Sequence, residues 1–283
     1  MEFTFHVAMR TRGTLCEPGG PGPYASAMTT ALITGATSGI GLEFARQLAA
    51  RHTDLVLVAR DRERLERVAG ELATAYGVGT EVLVADLADR AQLQAVADRV
   101  GDAGRPVDIL VNNAGFAVKE TFLATDLADE EAHFDVLCRA VLVLTHTAAQ
   151  AMVGRGWGRI LNVSSVAGFL ASGSYAAAKS YVTVLTESLA ADLAGTGVSA
   201  TAVCPGFVRT EFHQRAGMTM TAVPEIAWIP VEKLVRQALR DGGRGRIVSV
   251  PDARYKAVVG LLRVAPRSLA RRPRLVRRHR PGQ

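Results

Sequence analysis

Ala31-Leu-Ile-Thr-Gly-Ala-Thr-Ser-Gly-Ile-Gly41 runs from a short apolar stretch through a glycine turn into a segment of helical spacing. Ala31 to Thr34 has the length and character of a buried strand, and the helical pattern begins near Ile40. Between them Gly35, Gly39 and Gly41 form a GxxxGxG turn. Glycines at such a turn permit positive φ and let the main chain approach a pyrophosphate, whose charge meets the N-terminus of the following helix. The same turn also serves as a plain strand-to-helix connection with no ligand, and its spacing differs from the common GxGxxG fingerprint.

Outward from this turn the pattern repeats. Leu55 to Ala59, Glu81 to Ala85, Ile109 to Asn112, Ile160 to Ser164, Ser199 to Cys204 and Arg246 to Val250 are short apolar runs separated by longer Ala-, Leu- and Arg-rich segments. Seven such runs alternating with helices predict an α/β fold. It is a single Rossmann-type, doubly wound parallel seven-stranded sheet with helices on both faces and right-handed crossovers. At 283 residues and 48% hydrophobic content, one domain with one sizeable core is expected. The domain is placed at residues 28–252, after a tail at 1–27 that contains Pro18-Gly-Gly-Pro-Gly-Pro23 and is expected to be disordered, with Met28 a candidate start.

The net charge of +6 is unevenly distributed: residues 252–283 hold ten Lys or Arg against the single acid Asp252, leaving −3 on the rest. A basic enzyme body is therefore excluded, and the positive potential belongs to a C-terminal segment. Cys16, Cys138 and Cys204 are odd in number and lack CxxC spacing, so neither a disulfide framework nor a zinc site is signalled and a cytoplasmic setting is expected. No apolar run approaches the ~18 to 20 residues of a membrane span.

Four further motifs stand in register with the glycine turn: Asp86-Leu87 after the third strand, Asn112-Asn-Ala-Gly115 after the fourth, Tyr175-Ala-Ala-Ala-Lys179, and Pro205-Gly206 with Val208 and Thr210 after the sixth. Over roughly residues 29–250 the chain thereby resembles the short-chain dehydrogenase/reductase family, whose members transfer a hydride between a nicotinamide dinucleotide and a carbonyl or alcohol carbon. The resemblance implies a cofactor cradle of Gly35, Thr37, Ser38, Gly39, Ile40 and Gly41. It assigns the adenine to Asp86 and Leu87, the flank of the cofactor to Asn113, Ala114 and Gly115, and the carboxamide side to Pro205, Gly206, Val208 and Thr210.

Cofactor choice is read at the end of the second strand, where an acid would bond a ribose 2′-hydroxyl and an arginine would pair with a 2′-phosphate. Val58-Ala59-Arg60 places no acid there, which favours NADP(H) over NAD(H) with Arg60 as the phosphate partner. Arg62 is a second candidate, Asp61 an alternative ribose contact, and Arg60 could simply open a solvated charge run.

Tyr175 and Lys179 are four residues apart in a run of good helix formers, so they share a helical face. A phenol titrates near ~10, and a neighbouring ammonium and an oxidised nicotinamide both favour its ionised form. The resemblance makes Tyr175 the acid/base and gives Lys179 two tasks, lowering the tyrosine pKa and holding the ribose. The family's serine, which bonds the substrate oxygen, falls on Ser165, with Ser164 on the opposite face. Only nine residues separate Ser165 from Tyr175, fewer than relatives usually have, which keeps Ser164, Ser172 and Ser174 as alternatives. In the helix expected from Glu130 to Met152, the family's water-holding Asn is replaced by Leu137, which cannot serve a proton relay. Cys138 reads as a core residue.

Phe212, Met218, Met220 and Trp228 suggest an apolar substrate, a small carbonyl or alcohol compound, or else a loop tucked onto the core; His213 reads as a surface residue. Tyr255 to Ala265 reads as a short amphipathic helix, leading into Arg267, Arg271, Arg272, Arg274, Arg277, Arg278 and Arg280. This basic C-terminus, residues 253–283, suggests a peripheral membrane contact, docking on the domain or a solvated tail; no nucleic-acid partner is indicated. By analogy a homodimer or homotetramer is expected, formed through the helices containing Glu130–Met152 and Tyr175–Ala194. The rival readings are a non-catalytic dinucleotide-binding regulator and a membrane-surface adaptor.

Overall fold

The computed structural model describes residues 29–118, 121–212 and 223–264. The expected disorder of residues 1–27, Met28 as a start, His213, Met218, Met220 and the arginine run from Arg267 lie outside the described residues.

Strands β1 (Thr30–Thr34), β2 (Asp54–Ala59), β3 (Thr80–Val84), β4 (Ile109–Asn112), β5 (Gly158–Val163), β6 (Val198–Val203) and β9 (Val248–Ser249) form one seven-stranded sheet. Its order is β3-β2-β1-β4-β5-β6-β9, and every pairing is parallel. A second sheet, β7 (Phe207–Val208) paired with β8 (Trp228–Ile229), lies beyond the C-terminal end of β6. Side chains along the central strands divide strictly by parity, as the pleat requires. Ala31, Ile33, Leu55 and Leu57 face one core, whereas Leu32, Val56 and Val58 face the other.

The first core is covered by α1 (Gly39–Ala49), α2 (Arg62–Tyr76) and α7 (Val231–Gly243), through Phe44, Leu65 and Leu234. The second is covered by α3 (Arg90–Gly101) and α5 (Ala140–Arg155), through Val96, Leu144 and Met152. Helix α4 (Leu127–Phe134) runs into α5 through a π-helical turn at Asp135–Arg139, a widening of the helix often found beside functional sites. The continuous helix Leu127–Arg155 is long and apolar enough, by length and composition, to cross a bilayer, which the sequence pattern did not suggest. Its buried face packs on α3 and the sheet, so it is read as a core helix.

A buried polar ladder stitches the centre of the second layer. The Asn112 amide donates to Thr145 Oγ1 (3.0 Å) and to Asn162 Oδ1 (2.9 Å), and Asn162 donates to Thr186 Oγ1 (3.0 Å). Every member is satisfied, so the ladder fixes the register of β4, β5, α5 and α6 (Gly173–Asp192) at little desolvation cost.

Helix α8 (Ala253–Val264) docks on the domain. Val259 joins a small core with Ala202, Cys204 and Val250, while Arg263 bonds Glu187 at 2.7 Å and stacks on Phe169. One part of the amphipathic stripe is therefore spent on the protein itself, while Val258 and Leu261 stay exposed, and nothing in the described residues supports membrane contact.

Candidate active site

The C-terminal ends of β1, β4, β5 and β6 bring the motifs together. Gly35 (φ +66°) and Gly39 (φ +54°) occupy the left-handed region, where a side chain would strain the turn. Gly41 is required for a different reason: a Cβ there would lie 2.2 Å from the Gly35 carbonyl oxygen and 2.4 Å from Asn113 Nδ2. Asn113 locks the turn by donating to the Thr34 carbonyl (3.0 Å), and the Asn113 and Ala114 amides both donate to Thr34 Oγ1. Thr210 closes the far side, 3.0 Å from where a Gly39 Cβ would stand.

The donor set of this turn fits a dinucleotide. Helices α2 and α3 are capped by the Asp61 and Asp89 carboxylates, which satisfy first-turn amides, whereas Ser38 makes no side-chain cap on α1 and no acid occupies its first turn. The α1 amides are left for an external anion, and the macrodipole favours one. Thr37 is buried, Ser38 and Ile40 line the turn half-exposed, and Leu87 and Val208 place their side chains in the cores. Any cofactor contact of Leu87 or Val208 falls to the backbone. Asp86 is anchored within its own loop, accepting from the Ala88 amide at 3.0 Å.

At the end of β2, Arg60 is 73% exposed and lies 3.6 Å from Asp86. Asp61 caps α2 and Arg62 pairs with Glu66 along that helix, both on the exposed surface. Arg64, absent from the sequence reading, makes a two-pronged bond to Glu211 at 2.5 and 3.1 Å, tying α2 to the segment after Thr210. No local pattern signalled it, because the two residues are 147 apart.

Helix α6 carries Tyr175 and Lys179 one turn apart, with Lys179 Nζ 5.8 Å from the tyrosine ring centre and donating to the Val163 carbonyl at 2.8 Å. Ser165 begins the 3-10 turn Val166–Phe169, accepts from the Ala167 amide at 3.1 Å, and stands close enough to Tyr175 to lower its pKa. Ser164 turns the other way: it is buried, donates to the Lys179 carbonyl and bonds Thr183 Oγ1, both at 2.7 Å. Ser172 precedes α6, and Ser174 donates to Glu130. The pleat and the short turn therefore bring Ser165, not Ser164, to Tyr175.

Burial dominates the electrostatics of this cluster. It pushes the Tyr175 phenol up to about 12 and pulls the Lys179 ammonium down to about 8. Enclosure is the largest influence on the phenol, and Ser165 acts against it.

Leu137, in the π turn, is fully buried beside Gly115 and clusters with Cys138, Ala178, Phe116 and Tyr175. Cys138 is a core residue whose thiol burial raises to about 11. Phe212 packs at a tilt against Tyr175 with ring centres 5.7 Å apart, and Trp228 packs on Phe207. Gly206 lies under the Tyr255 ring of α8, where a Cβ would come within 2.2 Å, and the Tyr255 hydroxyl accepts from the Phe207 amide. His133, which no motif marked, stands beside Tyr175 with ring centres 6.2 Å apart. No group of three or more metal-ligating side chains occurs among the described residues.

A parallel sheet with an anion-ready glycine turn at its switch point, and a phenol and an ammonium above it, defines a dinucleotide-binding oxidoreductase of Rossmann type. The chain belongs to the short-chain dehydrogenase family, whose model matches residues 29–221. It is 32% identical over 216 residues to the ketoacyl reductase HetN of Nostoc sp., covering 74% of this chain and 73% of that protein. Among solved structures, a short-chain dehydrogenase from Sphingobium yanoikuyae in complex with NADPH superposes with a TM-score of 0.77 at 37% identity, over 83% of this chain and 94% of the other. The bulky-bulky ketone specific alcohol dehydrogenase from Comamonas testosteroni superposes with a TM-score of 0.71 at 30% identity, over 85% and 96%. The protein is thus an NAD(P)-binding oxidoreductase acting on carbonyl or CH–OH groups.

Proposed function

We propose that this protein is an NADPH-dependent reductase of apolar ketones or aldehydes, with Tyr175 as proton donor, Ser165 as the second hydrogen-bond partner of the substrate oxygen and Lys179 as the ribose-holding cation. The observation that carries the reading is the convergence of Ser165, Tyr175 and Lys179 beside an uncapped α1. The bound dinucleotide supplies the hydride. The residues of the chain do the rest. A carbonyl oxygen accepting from Tyr175 and Ser165 becomes alkoxide-like as the hydride arrives, and the phenol, held protonated by burial, gives up its proton there. Lys179, fixed by the Val163 carbonyl, keeps a positive charge below the ring and stabilises the phenolate that results.

Arg60, exposed and tethered only at 3.6 Å to Asp86, supports a 2′-phosphate partner and so NADP(H) over NAD(H). Phe212 against Tyr175, and Phe116 nearby, support an apolar substrate. Exposed Leu142, Val153 and Val184 on the outer faces of α5 and α6 support a homo-oligomer built through those helices.

The test is loss of 340 nm absorbance with NADPH, and separately NADH, over a panel of aliphatic and aromatic ketones and aldehydes, for the wild type and Tyr175→Phe. Carbonyl-dependent NADPH oxidation that this substitution removes is the expected result. Measurable NADPH binding with no turnover in either direction would establish the regulator reading instead.

A further inference from the structure

Two buried side-chain polar atoms among the described residues have no hydrogen-bond partner, Asp135 Oδ1 and His133 Nε2. Asp135 has a charge partner in Arg139, one turn along the helix. His133, 1% exposed, has none for Nε2. The Phe116 backbone acts on the imidazole as a hydrogen-bonding neighbour, and Nε2 is the ring nitrogen left without a partner. A leucine or phenylalanine in this position would remove the cost of an unsatisfied buried atom, so the imidazole calls for an explanation outside stability.

Its surroundings supply one. Each turnover requires Tyr175 to exchange one proton with solvent. Lys179 spends one of its three N–H donors on Val163, and the inward-facing residues of the π turn, Leu137 and Cys138, are respectively apolar and held as a neutral thiol. His133 lies one turn before Leu137, on the same helical face, with its ring 6.2 Å from that of Tyr175. It also lines a cleft of about 700 Å³ together with Glu130, Ser174 and Tyr181.

We infer that His133 relays the proton between Tyr175 and solvent, with Nε2 as the nitrogen that takes it up and the Glu130-lined cleft as the way to solvent. The inference rests on the reading of Tyr175 as acid/base. In alcohol oxidation the substrate hydroxyl gives its proton to the Tyr175 phenolate as hydride leaves the carbon for the oxidised nicotinamide. The phenol proton then passes through water to Nε2, and the imidazolium releases a proton to water in the cleft. Reduction runs the same path backwards. A relay in this direction must start neutral. The charged and titratable groups around the ring are Glu130 on α4, Lys179 and Tyr175 on α6 and Cys138 on the π turn; burial outweighs the attraction of Glu130 and holds the imidazole below 6.5.

The experiment is alcohol oxidation with NADP⁺ as a function of pH, for the wild type, His133→Gln, His133→Ala and Tyr175→Phe. His133→Gln is expected to lower kcat about tenfold or more, with KM for alcohol and NADP⁺ unchanged. The wild-type plot of log kcat should steepen below pH 6.5, and the variant should lack that step. Added imidazole should raise the rate of His133→Ala. A glutamine variant with wild-type kcat and pH profile overturns the relay, and if that variant does not fold, absence of imidazole rescue in His133→Ala overturns it. Undiminished turnover in Tyr175→Phe would instead remove the acid/base reading beneath it.

Discussion

Lys179 Nζ stands 2.8 Å from the Val163 carbonyl oxygen at the end of β5, and this single bond fixes a buried ammonium beneath the Tyr175 ring. Burying this cation costs the fold stability. Its pKa falls from 10.5 in the unfolded chain to about 8, so between those values the unfolded state binds more protons and stability rises with pH. Below pH 8 the burial penalty is present in full. Lys179→Met should therefore raise the unfolding free energy at pH 7 by on the order of 2–3 kcal/mol, with the gain fading towards pH 10.5 and activity lost. Urea titrations at pH 7 and pH 10 check both signs.

Ser164 and Ser165 are neighbours with opposite tasks. Ser165→Ala removes the partner of Tyr175, and kcat/KM should fall about 10- to 1,000-fold with thermal stability nearly unchanged. Ser164→Ala removes one partner each from the Lys179 carbonyl and Thr183 Oγ1, which keep their bond to each other, and should cost about 1 kcal/mol of stability and alter turnover less. Paired kinetics and thermal melts of the two variants separate these effects.

Arg60→Ala should weaken NADPH but not NADH, by about 10- to 100-fold, the worth of a charge-assisted hydrogen bond. Arg64→Ala should leave the NADPH/NADH ratio alone, because its guanidinium is already committed to Glu211. Equal losses for both nucleotides in Arg60→Ala would return that residue to the solvated charge run.

Gly41→Ala forces a methyl to within 2.2 Å of the Gly35 carbonyl oxygen, a backbone atom that cannot yield without opening the turn. Dinucleotide binding, followed by protein fluorescence quenching, should be abolished. A protein that still folded and bound normally would mean the turn is far softer than its contacts with Asn113 imply.

The existence of strands β1 to β6 and β9, the glycine turn and the pairing of Tyr175 with Lys179 were legible in the sequence. They rest on local periods: alternation of two along a strand, positive φ at a glycine, and a four-residue step around a helix. Which neighbours those side chains meet was not. The choice of Ser165 over Ser164 depended on how the 3-10 turn at Val166–Phe169 aims the chain after β5. The commitment of Arg64 to Glu211 spans 147 residues, and the docking of Tyr255 over Gly206 spans the sixth crossover, so neither leaves a local trace. His133 is the clearest case. In the sequence it is one histidine on a helix; its enclosure between Phe116 and Tyr175, with one ring nitrogen unpartnered, follows from three segments packing at a distance. Periodicity is a property of the backbone and can be read along the chain, whereas burial and partnership belong to the packed whole and are decided only when the layers close.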